Sequence, residues 1–243
     1  ENVPANEFLN LEGNKISTSK NWAIWLHEYL EDFPNMQDSL RYTLTVNAPE
    51  SKDNDFTWKD FQLRNNSELV AIFGNFVNRT LVLTHKYYEG VVPNQVEEKS
   101  EHYSILEEIY KYPEIISKSL DDFKFRDSVN ALIDLARLGN KFLADTEPWK
   151  LIKVEDQKTK VEEIMFISIQ ICGMLAILSE PFMPFASEKL KSILNLKTSK
   201  WTELNISSNI IDSKKLINKP ELIFRKIEDE EIERELKKLN NNN

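Results

Sequence analysis

The stretch IMFISIQICGMLAIL, residues 164–178, carries no charged residue. A helix that is apolar on every side must be surrounded, by lipid or by the rest of a protein. The run is short for a bilayer and is interrupted by Ser168 and Gln170, so it reads as the central helix of a packed core. The remainder of the chain must supply the elements that enclose it. With only 5 glycines in 243 residues and few hairpin signals, those elements are predicted to be helices.

Their periodicity agrees. Between residues 65 and 88, Leu69, Phe73, Phe76, Thr80, Leu83 and Tyr87 fall within about 40° of one line at 100° per residue, and Gly90 and Pro93 end the pattern. Further helices are predicted over 97–119, with a bend before Pro113, and over 122–145, with Val129, Leu132, Ala136 and Leu143 on one face. Two more follow over 158–179 and 185–194, and a charged helix closes the chain. Gly139, inside the third of these, costs about 1 kcal/mol against alanine, which points to a close helix contact there. In front, residues 20–33 look helical and are stopped by Pro34, 38–46 suit a strand or a helix equally, and 47–56 form a polar loop. The fold class is mainly α: a small mixed α/β segment over 1–62, then a helical bundle over 63–243.

The formal net charge of -9 repels nucleic acid on average, so a nucleic-acid reader of this composition must cluster its cations. Cys172 is the one cysteine, which excludes an internal disulfide and a thiolate zinc cluster and fits a reducing cytoplasm. Burial as an inert thiol is its expected state. His27, His85 and His102 show no metal-ligand spacing, and no metal site is expected. No signal peptide opens the chain and no membrane association is expected.

Three groups of residues carry possible chemistry. Lys15, Ile16, Ser17, Thr18, Ser19 and Lys20 form one polar loop ahead of a predicted helix. Lysines and hydroxyls suit polyphosphate, although alone the run is also an ordinary helix cap through Ser17 or Ser19. Asn75 and Arg79, four apart, share a helix face that Lys86 continues. An amide and a guanidinium make bidentate contacts to bases, and equally make inter-helix hydrogen bonds. In DTEPWK, Pro148 holds Glu147 out of helix and suits the first position of a new one, which places Trp149 at a stiff corner, either as a core residue or as a base-stacking one.

Taken in order, KISTS at 15–19, RYTLTVNAPESKDNDFTWKDF, NFVNR at 75–79 and EPWK at 147–150 resemble the C-terminal half of the methionyl-tRNA synthetases, class I enzymes, over nearly the whole chain. The resemblance implies that residues 15–19 correspond to the KMSKS loop, which closes over ATP and steadies the pyrophosphate leaving group. Lys15, Ser17 and Ser19 match, Ile16 replaces methionine, and Thr18 stands where the second lysine belongs, with Lys20 expected to supply the missing charge. It implies an α-helical anticodon-binding domain from about residue 63, with Asn75, Arg79, Pro148 and Trp149 at anticodon-reading positions. Lys86, Arg137, Lys141, Lys150 and Lys153 are expected to join Arg79 in one basic mouth for the tRNA backbone. The implied partners are tRNA(Met), with ATP, Mg2+ and methionine for the full-length enzyme. The family's His-x-Gly-His signature, methionine pocket and zinc-bearing insertion are missing, and the first residue is Glu. The sequence is therefore expected to be a fragment that does not form methionyl-tRNA by itself and binds no cofactor alone. The rival readings are a class I synthetase for cysteine, leucine, isoleucine or valine, and a helical protein-interaction scaffold. The Asn75/Arg79 and Pro148/Trp149 pairs favour methionine.

Overall fold

A computed structural model describes residues 2–196, 201, 204, 206 and 208–241. The last two residues of the closing asparagine run lie outside the described residues.

The front of the chain builds a three-stranded sheet of order β2-β1-β3, from β1 (Leu9–Leu11), β2 (Asn14–Lys15) and β3 (Asn54–Phe56). β2 returns antiparallel to β1 through Glu12 and Gly13, both with positive φ, while β3 joins β1 in parallel after two intervening helices. Part of the predicted polar loop thus serves as a strand. The helices are α1 (Leu26–Asp32) and α2 (Gln37–Val46), which settles 38–46 as helix. The predicted helix from residue 20 begins six residues late. Asn21 is left-handed at φ 49° and Ser17 and Trp22 exchange backbone hydrogen bonds at 2.9 Å, so the chain turns back before it can wind.

From α3 (Trp58–Arg64) the backbone winds without interruption through a π-helical stretch, Asn65–Gly74, into α4 (Asn75–Tyr88). The predicted boundary after residue 62 falls inside this continuous rod. In the π stretch each hydrogen bond spans five residues rather than four, so a stripe drawn at α spacing drifts off the core. Leu69, Phe73, Phe76 and Thr80 are fully buried as expected. Beyond them Leu81 and Thr84 take the core face, and Leu83 and Tyr87 are only half-buried.

The bundle continues with α5 (Tyr103–Ile109), α6 (Tyr112–Asp121), α7 (Phe125–Thr146), the single turn α8 (Pro148–Leu151), α9 (Lys158–Leu178) and α10 (Pro184–Ile193). Pro113 enters at the start of α6, where its missing N–H costs nothing, and splits the predicted 97–119 helix in two. Every residue of α9 from Ile164 to Leu178 is buried. The stretch Glu155–Leu178 has the length and apolarity to cross a membrane, because polar turns ahead of Ile164 extend it. Even so, 89% of its apolar window is buried inside the protein. Its polar residues have partners. Ser168 bonds back to Ile164, and the Gln170 amide accepts from the backbone of Ile210 and Ile211 and donates 2.7 Å to the Ile211 carbonyl. Burial pushes the Cys172 thiol up to about 12, as befits an inert group.

The charged helix α11 (Asp229–Asn241) does not join the bundle. Ile227, Ile232 and Leu239 pack with Tyr29, Phe33, Trp58 and Phe61 in a second, aromatic core belonging to the front segment. The strap leading into α11 is fastened by the π stretch. Asn66 pairs with both backbone groups of Ile227 at 2.8 and 2.9 Å, and the buried Asn65 donates to the Arg225 carbonyl at 2.9 Å. Lys238 forms ion pairs with Asp32 and Glu235.

Candidate functional site

Two α-helices and one turn build the most chemically distinctive surface. Glu147 ends α7 in a left-handed conformation, φ 44°, and its amide still donates to Leu143 at 3.0 Å. Pro148 is buried directly after it and starts α8. This elbow fixes Trp149, which is half-buried with part of its ring against the bundle core. The Arg79 guanidinium of α4 lies over the indole, 4.8 Å from its centroid. Arg79 forms no ion pair or hydrogen bond among the described residues, so its five N–H donors have no protein partner there. A cation placed over an indole in this way is worth roughly 0.5–2 kcal/mol.

One turn earlier on α4, Asn75 is exposed, and its amide nitrogen lies 3.2 Å from the Asn140 side-chain oxygen of α7. Asn140 itself donates to the carbonyls of Ile72, at 2.9 Å, and Ala136, at 3.0 Å. Arg79 and Trp149 thus meet beside the elbow that Pro148 begins, with Asn75 one turn of α4 away. Asn140 was not singled out from the sequence. The available signal was an amide flanking the apolar face of α7, one turn after Ala136.

The six cations expected in one basic mouth are not equivalent. Arg137 pairs with Asp134 at 2.6 Å, Lys150 with Glu147 at 2.8 Å, and Lys141 with Asp145. Arg137 also precedes the elbow by ten residues of helix, about 15 Å along the axis. Arg79, Lys86 and Lys153 form no ion pair among the described residues, and Lys86 lies 5.7 Å from the ring of Tyr87. Carboxylates three or four residues away in the chain, a feature that charge counts do not weigh, temper the other three.

The polar loop at the front forms a second site. Ser17 is followed by a single 3-10 turn, Thr18–Lys20, and its side chain makes no capping bond, so the ordinary cap reading does not describe it. The hydroxyls of Ser17 and Ser19 are 3.2 Å apart. Lys15, Ile16, Ser17 and Lys20 line a hollow of about 470 Å³ floored by Trp22, whose indole N–H is anchored 2.9 Å from the Leu11 carbonyl. Thr18 lies outside that lining, whereas Lys20 shares it with Lys15.

Comparison with known proteins identifies relatives of the chain as a whole. A family model described as tRNA synthetases class I (M) matches residues 1–81, and one described as the anticodon binding domain of methionyl tRNA ligase matches residues 92–242. The methionine–tRNA ligase of Flavobacterium psychrophilum is 55% identical over 242 residues, covering 98% of this chain and 35% of that protein. That of Bacteroides fragilis is 56% identical over 239 residues, with 98% and 35% covered. The chain therefore spans about a third of the length of these relatives. Among solved structures, the Mycobacterium tuberculosis methionyl-tRNA synthetase in complex with methionyl-adenylate superposes with a TM-score of 0.80 at 21% identity, over 91% of this chain and 43% of that one. At that identity the likeness speaks to the fold.

Proposed function

This chain belongs to the family of methionyl-tRNA ligase anticodon-binding domains, and from that premise we infer that the Arg79–Trp149 platform receives unpaired bases of the tRNA(Met) anticodon loop. The single observation that carries the reading is the guanidinium lying over a half-buried indole with no carboxylate partner among the described residues. Single-stranded bases are recognised by stacking on aromatic and guanidinium planes and by hydrogen bonds along their pairing edges. A base can stack on the outer face of the Arg79 plane, or on the indole once Arg79 swings to a phosphate. Asn75 supplies the edge contact, and Lys86 and Lys153 the backbone contacts. Residues from roughly 20 to 62 act as the linking segment against the inner side of the tRNA, with the bundle reading the anticodon.

The front hollow is the proposed seat of the ATP polyphosphate in a cytoplasmic methionine–tRNA ligase that activates methionine and transfers it to tRNA. Lysines facing charge that develops on the leaving pyrophosphate lower the barrier more than they tighten binding. Mg2+ would arrive bound to the nucleotide, since the described residues hold no cluster of three or more His, Cys, Asp or Glu able to take a metal ion.

Titration of the chain with anticodon stem-loops tests the anticodon reading. Binding should favour CAU over other anticodons and weaken with salt, with a log–log slope of about −0.7 for each single-strand phosphate contact. Affinity that ignores both salt and anticodon identity would replace this reading with that of a protein-interaction scaffold.

A further inference from the structure

Asn140 and Asn75 form a two-amide relay whose direction the backbone dictates. The Asn140 side-chain nitrogen lies 2.9 Å from the Ile72 carbonyl oxygen and 3.0 Å from that of Ala136. Carbonyl oxygens only accept, so both N–H groups of Asn140 are committed to them and its amide cannot flip. Its oxygen is left facing Asn75, 3.2 Å from the Asn75 nitrogen. An oxygen there demands a donor, so Asn75 must turn its own nitrogen inward. The Asn75 side-chain oxygen is then the group left to face solvent, on an exposed residue one helical turn from Arg79.

We propose that Asn140 is a positioning residue that fixes Asn75 as a hydrogen-bond acceptor, so that this site selects bases carrying an exocyclic amine at the pairing edge over bases carrying a carbonyl there. The proposal rests on the anticodon-loop reading above and adds a chemical rule to it. Arg79 offers only donors and favours carbonyl edges and phosphates. An acceptor held beside it gives the site opposite polarity at two neighbouring points. Cytosine presents an amine donor where uracil presents a carbonyl acceptor, and a carbonyl brought against the Asn75 oxygen is repelled. Were the Asn75 amide free to rotate, it would greet either base and discriminate neither.

Two substitutions separate positioning from mere structural support. Asn140→Ala removes the oxygen that orients Asn75. Adding Asn75→Asp to Asn140→Ala restores an acceptor toward the base that no longer depends on which way the side chain turns. Stem-loops are compared that exchange amine for carbonyl at one anticodon base at a time: cytosine against uracil, and adenine against inosine. The unaltered chain should favour the amine base by at least about tenfold at one position, the discrimination of one good edge contact. Asn140→Ala should bring that ratio below about threefold with the circular dichroism of the bundle intact. The double variant should regain the ratio while weakening all stem-loops alike through its charge. The inference is overturned if Asn140→Ala retains the full ratio, if the double variant fails to regain it, or if the unaltered chain binds without amine preference. If the unaltered chain binds no stem-loop, the anticodon reading itself fails, and this inference with it.

Discussion

Gly139 of α7 lies against the ring of Phe76 of α4 so closely that a Cβ on Gly139 would stand 2.5 Å from two ring carbons. Phe76 is completely buried, so its ring cannot swing aside without opening a void. This contact draws together the two helices that carry Asn75, Arg79 and the elbow at Glu147. Gly139→Ala should therefore destabilise the bundle. Overpacking costs typically about 1–3 kcal/mol, and the better helix propensity of alanine returns about 1 kcal/mol. A net fall in Tm of up to about 8 °C follows for a chain of this size. Adding Phe76→Leu should recover part of the loss, and strictly additive effects in the double variant would disprove the contact as the cause.

At the platform, Trp149→Ala should weaken stem-loop binding by at least about tenfold, within the range of base–aromatic stacking. Arg79→Lys should also lose affinity although the charge is kept, because an ammonium has no plane to stack and no fork of donors. Fluorescence titration with one stem-loop checks both. Equal affinity of the lysine variant with the unaltered chain would reduce the role of Arg79 to charge alone.

In the front loop, Lys20→Ala should lower the rate of ATP–pyrophosphate exchange at least about tenfold, the effect of losing roughly 1.4 kcal/mol of transition-state stabilisation. Methionine affinity should stay the same. The measurement calls for a protein that joins this chain to the remaining part present in its relatives. Thr18→Ala, altering a residue outside the hollow, should cost much less. A reversed order of the two effects would remove Lys20 from the proposed role.

His102 offers a pH signature. Its ring packs edge-on against Phe142, and its buried Nε2 has no hydrogen-bond partner. Burial lowers its pKa below the usual 6.5, outweighing Glu101 at 3.7 Å and Glu163, both of which favour protonation, while Lys160 opposes it. The unfolded chain thus binds this proton more readily than the folded one. Stability rises with pH between the folded and unfolded pKa values, is fully present above about 6.5, and falls as acid drives protonation. Melting curves from pH 7.5 down to 5 should show this loss, and His102→Gln should flatten it. An unchanged slope in the variant would assign the acid sensitivity elsewhere.

What the sequence disclosed depended on whether a signal was local. The uncharged run of α9 announced a central helix because nothing else tolerates such a stretch in water, and Pro148 announced the elbow because a proline ring dictates its neighbour's backbone. The π winding after Arg64 was hidden, since propensities do not separate π from α turns, and the buried face therefore moved off Leu83 and Tyr87. The pairing of Lys141 with Asp145 was readable in principle from their spacing, but counting cations alone passed over it. Asn140 showed only as an amide flanking the apolar face of α7, since its part arises from two carbonyls and an amide that meet only once α4 and α7 are side by side. The attachment of α11 to the front was equally invisible, because it joins residues more than 160 positions apart through Asn66 and Ile227.

That return of α11 has a consequence for how the chain is made. Trp58 and Phe61 emerge from the ribosome long before Ile232 and Leu239, which complete their enclosure. Until translation reaches α11, the aromatic nest stays half-lidded in the cell, greasy and open to chaperones. This segment, translated ahead of the bundle, is therefore finished after it, and a premature stop just after Phe224 would spare the bundle core while leaving the nest uncovered.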